Sequence, residues 1–269
     1  VISVEMFKLF RRPRTWLALL LLVLLPTVIA IFLSVTRVAP RPGQGPAFLS
    51  AVLGNGQLFA VAALAIVLPL FLPIAVAVIA GEAVAGEAQA GTLRYLLVRP
   101  VGRARLLVAK LVAIFAFIVV AVLLVAGCGY LTGRLLFGDD PSASVTFSGT
   151  SLTAEQVATR SLLAIAYVML SMLGIAVVAL FLSTFTDSPL TATLGALALL
   201  IASSLLLTID AARAVQPYLP TRYWLSFVDL FRDPILWRNV ERGVLVQVVY
   251  VAVFLAAAWA NFMTKDVTS

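Results

Sequence analysis

Residues 79–110, IAGEAVAGEAQAGTLRYLLVRPVGRARLLVAK, gather the side chains of this chain that could do more than fill a bilayer. Glu87, Gly91-Thr92-Leu93, Leu96-Leu97, Pro100, Arg103 and Lys110 stand between two long apolar runs. Their chemistry is recognition rather than bond-making. Leu93, Leu96 and Leu97 fall at i, i+3 and i+4, one apolar stripe of a short helix. Thr92 can cap that helix, and Pro100 ends it by disfavouring helical backbone at Arg99. A stub with an apolar stripe and flanking charges suits a groove on a soluble partner. It equally suits a loop resting on headgroups, and residue chemistry alone leaves both readings open.

Other chemistry is sparse. The chain has one cysteine, Cys128, and no histidine. That excludes an internal disulfide framework, a Cys/His metal site and a histidine proton relay. Serines are present without a histidine base, and no GxxxxGK[ST] phosphate loop exists. The expectation is therefore no enzyme and no cofactor held by this chain. Asp139-Asp140 lies in a Gly/Ser/Thr-rich stretch and reads as a solvated loop. No acid or base falls near the centre of an apolar run, unlike the buried ionisable groups usual in ion-coupled transporters.

The elements that position these residues follow from composition. Of 269 residues, 62% are hydrophobic and 12% charged. Soluble domains have about 45–50% apolar and about 25% charged residues. This is an all-α integral membrane protein, since spanning backbone must satisfy its hydrogen bonds within helices and strand alternation is absent. The net charge of +7 fits cationic loops beside anionic headgroups, with no nucleic acid as partner. One transmembrane domain, 1–269, is expected. Its six spans are about 16–35, 57–80, 106–128, 161–183, 189–209 and 243–263. The first run is too long for a cleavable signal. Pro69 and Pro73 predict a kink near 66–73, and Pro26 a bend in the first span.

Residues 1–14 mix Val4, Phe7, Leu9 and Phe10 with Glu5, Lys8 and three arginines, an interfacial helix. Lys8, Arg11, Arg12 and Arg14 before the first span place both termini in the cytoplasm. The Ala/Arg/Val-rich, Lys-poor composition points to the inner membrane of a high-GC bacterium. Residues 210–242 carry Tyr218, Tyr223, Trp224, Phe227, Phe231 and Trp237 among arginines and prolines. They predict one or two short helices on the outer leaflet. Tyr223, Trp224, Phe227 and Phe231 are candidates for an outer gate, with a passive aromatic belt as the alternative. Thr191 and Gly195 form a small-xxx-small face for close helix packing, including packing between subunits.

The ordered set of Glu87, Gly91-Thr92-Leu93, Leu96-Leu97, Pro100, Arg103 and Lys110 resembles the conserved stretch of ABC transporter type-2 permeases. The resemblance extends to the layout of interfacial helix, six spans, inner segment and aromatic outer segment. Gln89 departs from it, where many relatives carry a second acid. The resemblance implies a membrane subunit of an ATP-driven exporter, with 82–100 as the coupling helix between spans two and three. It implies a separate ATP-binding-cassette subunit carrying ATP and Mg, and a second permease subunit, identical or homologous. Glu87, Leu93, Leu96, Leu97 and Arg103 would dock the ATPase, with Gly91 and Pro100 shaping the backbone. An apolar path with hydroxyls at Ser34, Thr191, Thr193, Ser203 and Ser204 suggests an amphipathic drug, antibiotic or lipid as substrate. The rival readings are a stand-alone channel or secondary transporter, and a membrane anchor for a soluble partner.

Overall fold

The structure is a computed structural model that describes residues 1–36, 56–91, 102–138 and 152–264. Every regular element among these residues is helical. In chain order they are α1 (Ile2–Arg11), α2 (Pro13–Thr36), α3 (Phe59–Val67), α4 (Phe71–Gln89), α5 (Arg103–Phe137), α6 (Ala154–Phe185), α7 (Pro189–Leu206) and α8 (Trp237–Thr264). A 3-10 turn, Gly56–Leu58, leads into α3, and three more lie at Asp210–Ala212, Gln216–Tyr218 and Trp224–Phe231. The helices α2, α4, α5, α6, α7 and α8 are each long and apolar enough to cross a membrane. This is a multi-pass membrane protein. α4 and α6 are the most enclosed, while α2, α7 and α8 expose most of their apolar surface, as lipid-facing helices do.

Pro13 sets the first corner. Its fixed φ suits the opening position of α2, and its ring forces Arg12 into an extended conformation with ψ 128°. α1 therefore stops and turns away. Its last carbonyls are met by α2 side chains: Thr15 Oγ1 donates to Leu9 O (2.7 Å) and Trp16 Nε1 to Phe10 O (2.7 Å). α2 then runs without interruption through Pro26.

The second span corrects the expectation. The prolines produce an interruption rather than a kink. Pro69 has no N–H to continue the ladder, and Leu70 swings to φ −139° and ψ −60°. Pro73 then sits in the first turn of α4, where a missing donor costs nothing. α4 also continues to Gln89, beyond the expected end at residue 80, so Glu82 and Glu87 are helical rather than in a loop. Gly91 closes it with φ 65°, the left-handed conformation that ends a helix.

The other spans are longer than their apolar cores. α5, with 35 residues, is about 52 Å long at 1.5 Å per residue, against roughly 30 Å of hydrocarbon. α6 begins at Ala154 because Thr153 and Gln156 form a capping box: Gln156 N donates to Thr153 Oγ1 and Thr153 N to Gln156 Oε1. α8 begins six residues before the expected boundary, at Trp237.

α3 lies against the end half of α5 at Gly129 and Gly133. A Cβ on Gly129 would come within 2.9 Å of Ala63 Cβ, and one on Gly133 would land on the Gly56 carbonyl. This Gly-xxx-Gly pair brings two backbones together without side chains between them.

Candidate functional site

The end of the bundle that carries α1 is laced together by side chains from nearly every long helix. Glu5 of α1 and Glu87 of α4 flank Lys110 of α5, at 3.2 and 2.8 Å from Nζ. Lys8 of α1 completes the group, 3.4 Å from Glu5 and 3.3 Å from Glu87. Lys110 is 2% exposed. Two carboxylates and two ammoniums thus neutralise one another at a place where a single unpaired charge would be costly. Burial pulls the Lys8 ammonium down, but Glu5 and then Glu87 outweigh it, and its pKa is raised above the usual lysine value.

A second acid on α4, Glu82, receives Arg12 (3.3 Å) and Arg14 from the α1–α2 corner. Glu82 and Glu87 lie on successive turns of α4, so α1 is fastened along its length. A cavity of about 40 Å³ remains between these groups and Ile79, Ala113 and Ile114. That is room for a water or two among polar partners, not for a substrate.

Neutral contacts extend the lacing. Ser183 Oγ of α6 accepts from Val84 N (3.0 Å) and Ala85 N (2.9 Å) of α4. Asn261 Nδ2 of α8 donates to Thr184 Oγ1 of α6 (3.1 Å). Arg103, at the first turn of α5, donates to Met263 O near the end of α8 (2.9 Å), closing the circuit. That carbonyl is one of the four a helix end leaves without an internal partner.

The sequence-derived candidates are distributed unevenly over this arrangement. Glu87 and Arg103 are both at the laced end, and both engage side chains or backbone of their own chain. Gly91 is the stop of α4. Thr92, Leu93, Leu96, Leu97 and Pro100 lie outside the described residues, as do Asp139 and Asp140. Thr191 is exposed at the start of α7, whereas Gly195 faces α6, where a Cβ would meet Leu182 Cδ1 at 3.1 Å. The tighter approach of α7 is made elsewhere: a Cβ on Gly81 of α4 would come within 2.6 Å of Thr193 Oγ1. Thr193 and Ser203 are buried, and Ser34 and Ser204 are not.

At the opposite end, Tyr223, Trp224, Phe227 and Phe231 are all buried between α6 and α8. They belong to the 210–236 connection, which contains three 3-10 turns where one or two short helices were expected. Sequence reasoning missed the groups that hold it. Arg160 of α6 donates to Leu230 O (3.1 Å) and Arg232 O (2.9 Å). Tyr167 Oη donates to Tyr223 O (2.6 Å), and Gln247 Nε2 of α8 to Pro220 O (2.8 Å). The hydroxyls of Ser203 and Thr221 meet at 2.6 Å. Arg160 lies just before the expected start of the fourth span at 161; the Thr153–Gln156 capping box is the signal that places it on a helix.

Arg160→Met tests that arrangement. It keeps the side-chain length and removes both hydrogen bonds to backbone carbonyls. Loss of charge-assisted bonds to buried acceptors should cost about 2–4 kcal/mol. Hydrogen exchange should rise first at 220–232 while α2 and α5 keep their protection; unchanged exchange there would show that packing alone holds the segment.

No curated protein matches the chain. Residues 27–268, most of its length, match the family described as Protein of unknown function (DUF2705). The matched range takes in the end of α2, the other five candidate spans and the connection before α8; of the laced end it holds Glu82, Glu87, Arg103 and Lys110 but not α1. The chain therefore belongs to the DUF2705 family.

Proposed function

We propose that the chain is the membrane-spanning permease subunit of an ATP-driven exporter, of the ABC type-2 kind. In this reading 82–100 is the coupling segment, seated in a groove of a separate cassette ATPase that carries ATP and Mg. Both termini are cytoplasmic, the membrane is a bacterial inner membrane, and a second permease subunit completes the substrate path. The substrate is amphipathic, since the spans offer apolar surface and scattered hydroxyls rather than charge.

One observation carries the reading. The acid and the lysine of the resembled pattern pair at 2.8 Å, Glu87 from within the proposed coupling segment and Lys110 from α5 beyond it. Through Glu5 and Lys8 the same pair holds α1. A push on the segment between α4 and α5 therefore reaches three helices at once, and α6 and α8 through Ser183, Asn261 and Arg103. That is the mechanical property a coupling element requires, because a partner can bias a conformational equilibrium only through contacts that differ between its states.

The test is co-purification with each cassette ATPase of the source genome, comparing the wild-type chain with Leu96→Asp. Leu96 is preferred to Glu87 because loss of Glu87 would unpair Lys110 inside the chain and confuse folding with docking. A stoichiometric complex with one ATPase, reduced about tenfold or more by a charge in the apolar stripe, is expected. Absence of a complex with any cassette ATPase would overturn the reading in favour of a stand-alone transporter or an anchor.

A further inference from the structure

A groove of about 620 Å³ runs down one face of α8 at the end opposite α1. One wall is Arg242, Val246, Val249 and Tyr250; the other is Tyr218 and Tyr223. The α8 positions are spaced i, i+4, i+7 and i+8, a single helix face. From Arg242 to Tyr250 this face descends about 12 Å, at 1.5 Å per residue. A cation therefore stands at the head of an apolar channel on a lipid-exposed helix. Val248, Val249 and Val253 beside it are open to the surroundings.

The cation has no fixed partner among the described residues. Among the described residues Arg242 donates to no acceptor and pairs with no carboxylate, and the same holds for Arg238 one turn earlier. Asp229 pairs with Arg232 (2.9 Å) and Asn239 (2.9 Å), and Asp210 with Arg213 (2.8 Å); Glu241, next to Arg242 and three residues after Arg238, pairs with neither among the described residues. Arg222 adds a third guanidinium, stacked 5.7 Å over the Tyr223 ring.

We propose that this groove holds one anionic phospholipid of the surrounding bilayer. Its phosphate meets Arg242 and Arg238, and one acyl chain follows Val246, Val249 and Tyr250 against the two tyrosines. The volume lies within the range of small-molecule sites, about 300–1,000 Å³, and so takes a headgroup and part of one acyl chain and not a whole lipid. Unpaired arginines beside a transmembrane helix favour an anionic over a zwitterionic headgroup. A second copy of the chain is the poorer occupant, because two-fold packing of this face on itself would bring the Arg238 and Arg242 guanidiniums of the two copies together. The proposal is independent of the transport reading.

The experiment uses the full chain in nanodiscs of equal phosphatidylglycerol and phosphatidylcholine. One lipid at a time carries a photoreactive acyl chain, and adducts are mapped by mass spectrometry. Phosphatidylglycerol adducts at 246–250 should exceed phosphatidylcholine adducts about fivefold for each arginine engaged. Arg242→Gln should bring the two toward equality while total labelling of this face persists. Val246→Trp should fill the groove and abolish labelling by both. Equal labelling of wild type by the two lipids would overturn the proposal. So would labelling indifferent to Val246→Trp, or loss of lipid adducts at these residues in discs that hold two copies of the chain instead of one. The first comparison needs only wild type, so a variant that fails to fold leaves the proposal falsifiable.

Discussion

Lys110→Met is expected to be the most damaging single change at the laced end. Lys110 is buried, and its ammonium is shared by Glu87 and Glu5. The methionine would fit the space, but two carboxylates would be left close together with Lys8 between them. Breaking a buried pair by deleting one partner costs about 3–5 kcal/mol, largely because the survivor stays desolvated. The midpoint of thermal unfolding in detergent should fall, and protease should reach the α1–α2 corner at Arg11 and Arg12. Adding Glu5→Gln should restore part of the loss, because it removes one of the orphaned charges; the coupling in that double-mutant cycle measures the contact. A midpoint unchanged by Lys110→Met would mean that Lys8 and solvent suffice to stabilise the two carboxylates.

Gly133→Leu should be comparably severe for a different reason. The space a side chain would need at Gly133 is occupied by the Gly56 carbonyl and by Phe59 Cβ at 2.6 Å. Backbone cannot repack as a side chain does, so α3 would have to move off α5. Overpacking a core costs about 1–3 kcal/mol, and more when the obstacle is rigid. Gly127→Leu is the control: a Cβ there meets nothing within 4 Å. Both variants can be compared by the yield of monodisperse protein and by unfolding midpoint. Equal behaviour of the two would show that the α3–α5 seam does not hold the fold.

The two cases show what could be read from the sequence. Gly129 and Gly133 are a local pattern, as are Thr153 and Gln156, and each has a meaning that holds wherever it occurs. The six apolar runs were equally plain, because hydrocarbon thickness sets their length. Which face of each helix turns inward was not legible. The first half of α4, from Phe71 to Ala80, is apolar on every side, so no periodicity distinguishes its buried stripe. Lys8 and Glu87 are 79 residues apart, and Lys110 and Glu5 are 105 apart. No spacing rule joins such residues, and Glu87 was read as facing a partner when its carboxylate is spent inside the chain. Arg160 and Gln247 were passed over for the same reason: their acceptors are backbone carbonyls of a distant connection.

The interruption at Leu68–Leu70 divides one crossing between two sets of neighbours. α3 packs chiefly on α5, while α4 packs on α6 and α7. A continuous helix is stiff and would carry any tilt of one half into the other. Leu68 still donates to Leu64 O and Leu70 still accepts from Ile74 N, but Pro69 between them has no N–H, and the break there works instead as a joint. α4 can pivot with the ion-paired end, where Glu82 and Glu87 give it a handle, while the glycine seam above stays closed. The single crossing thus divides its packing, with the ion-paired end held by α4 and the glycine seam by α3.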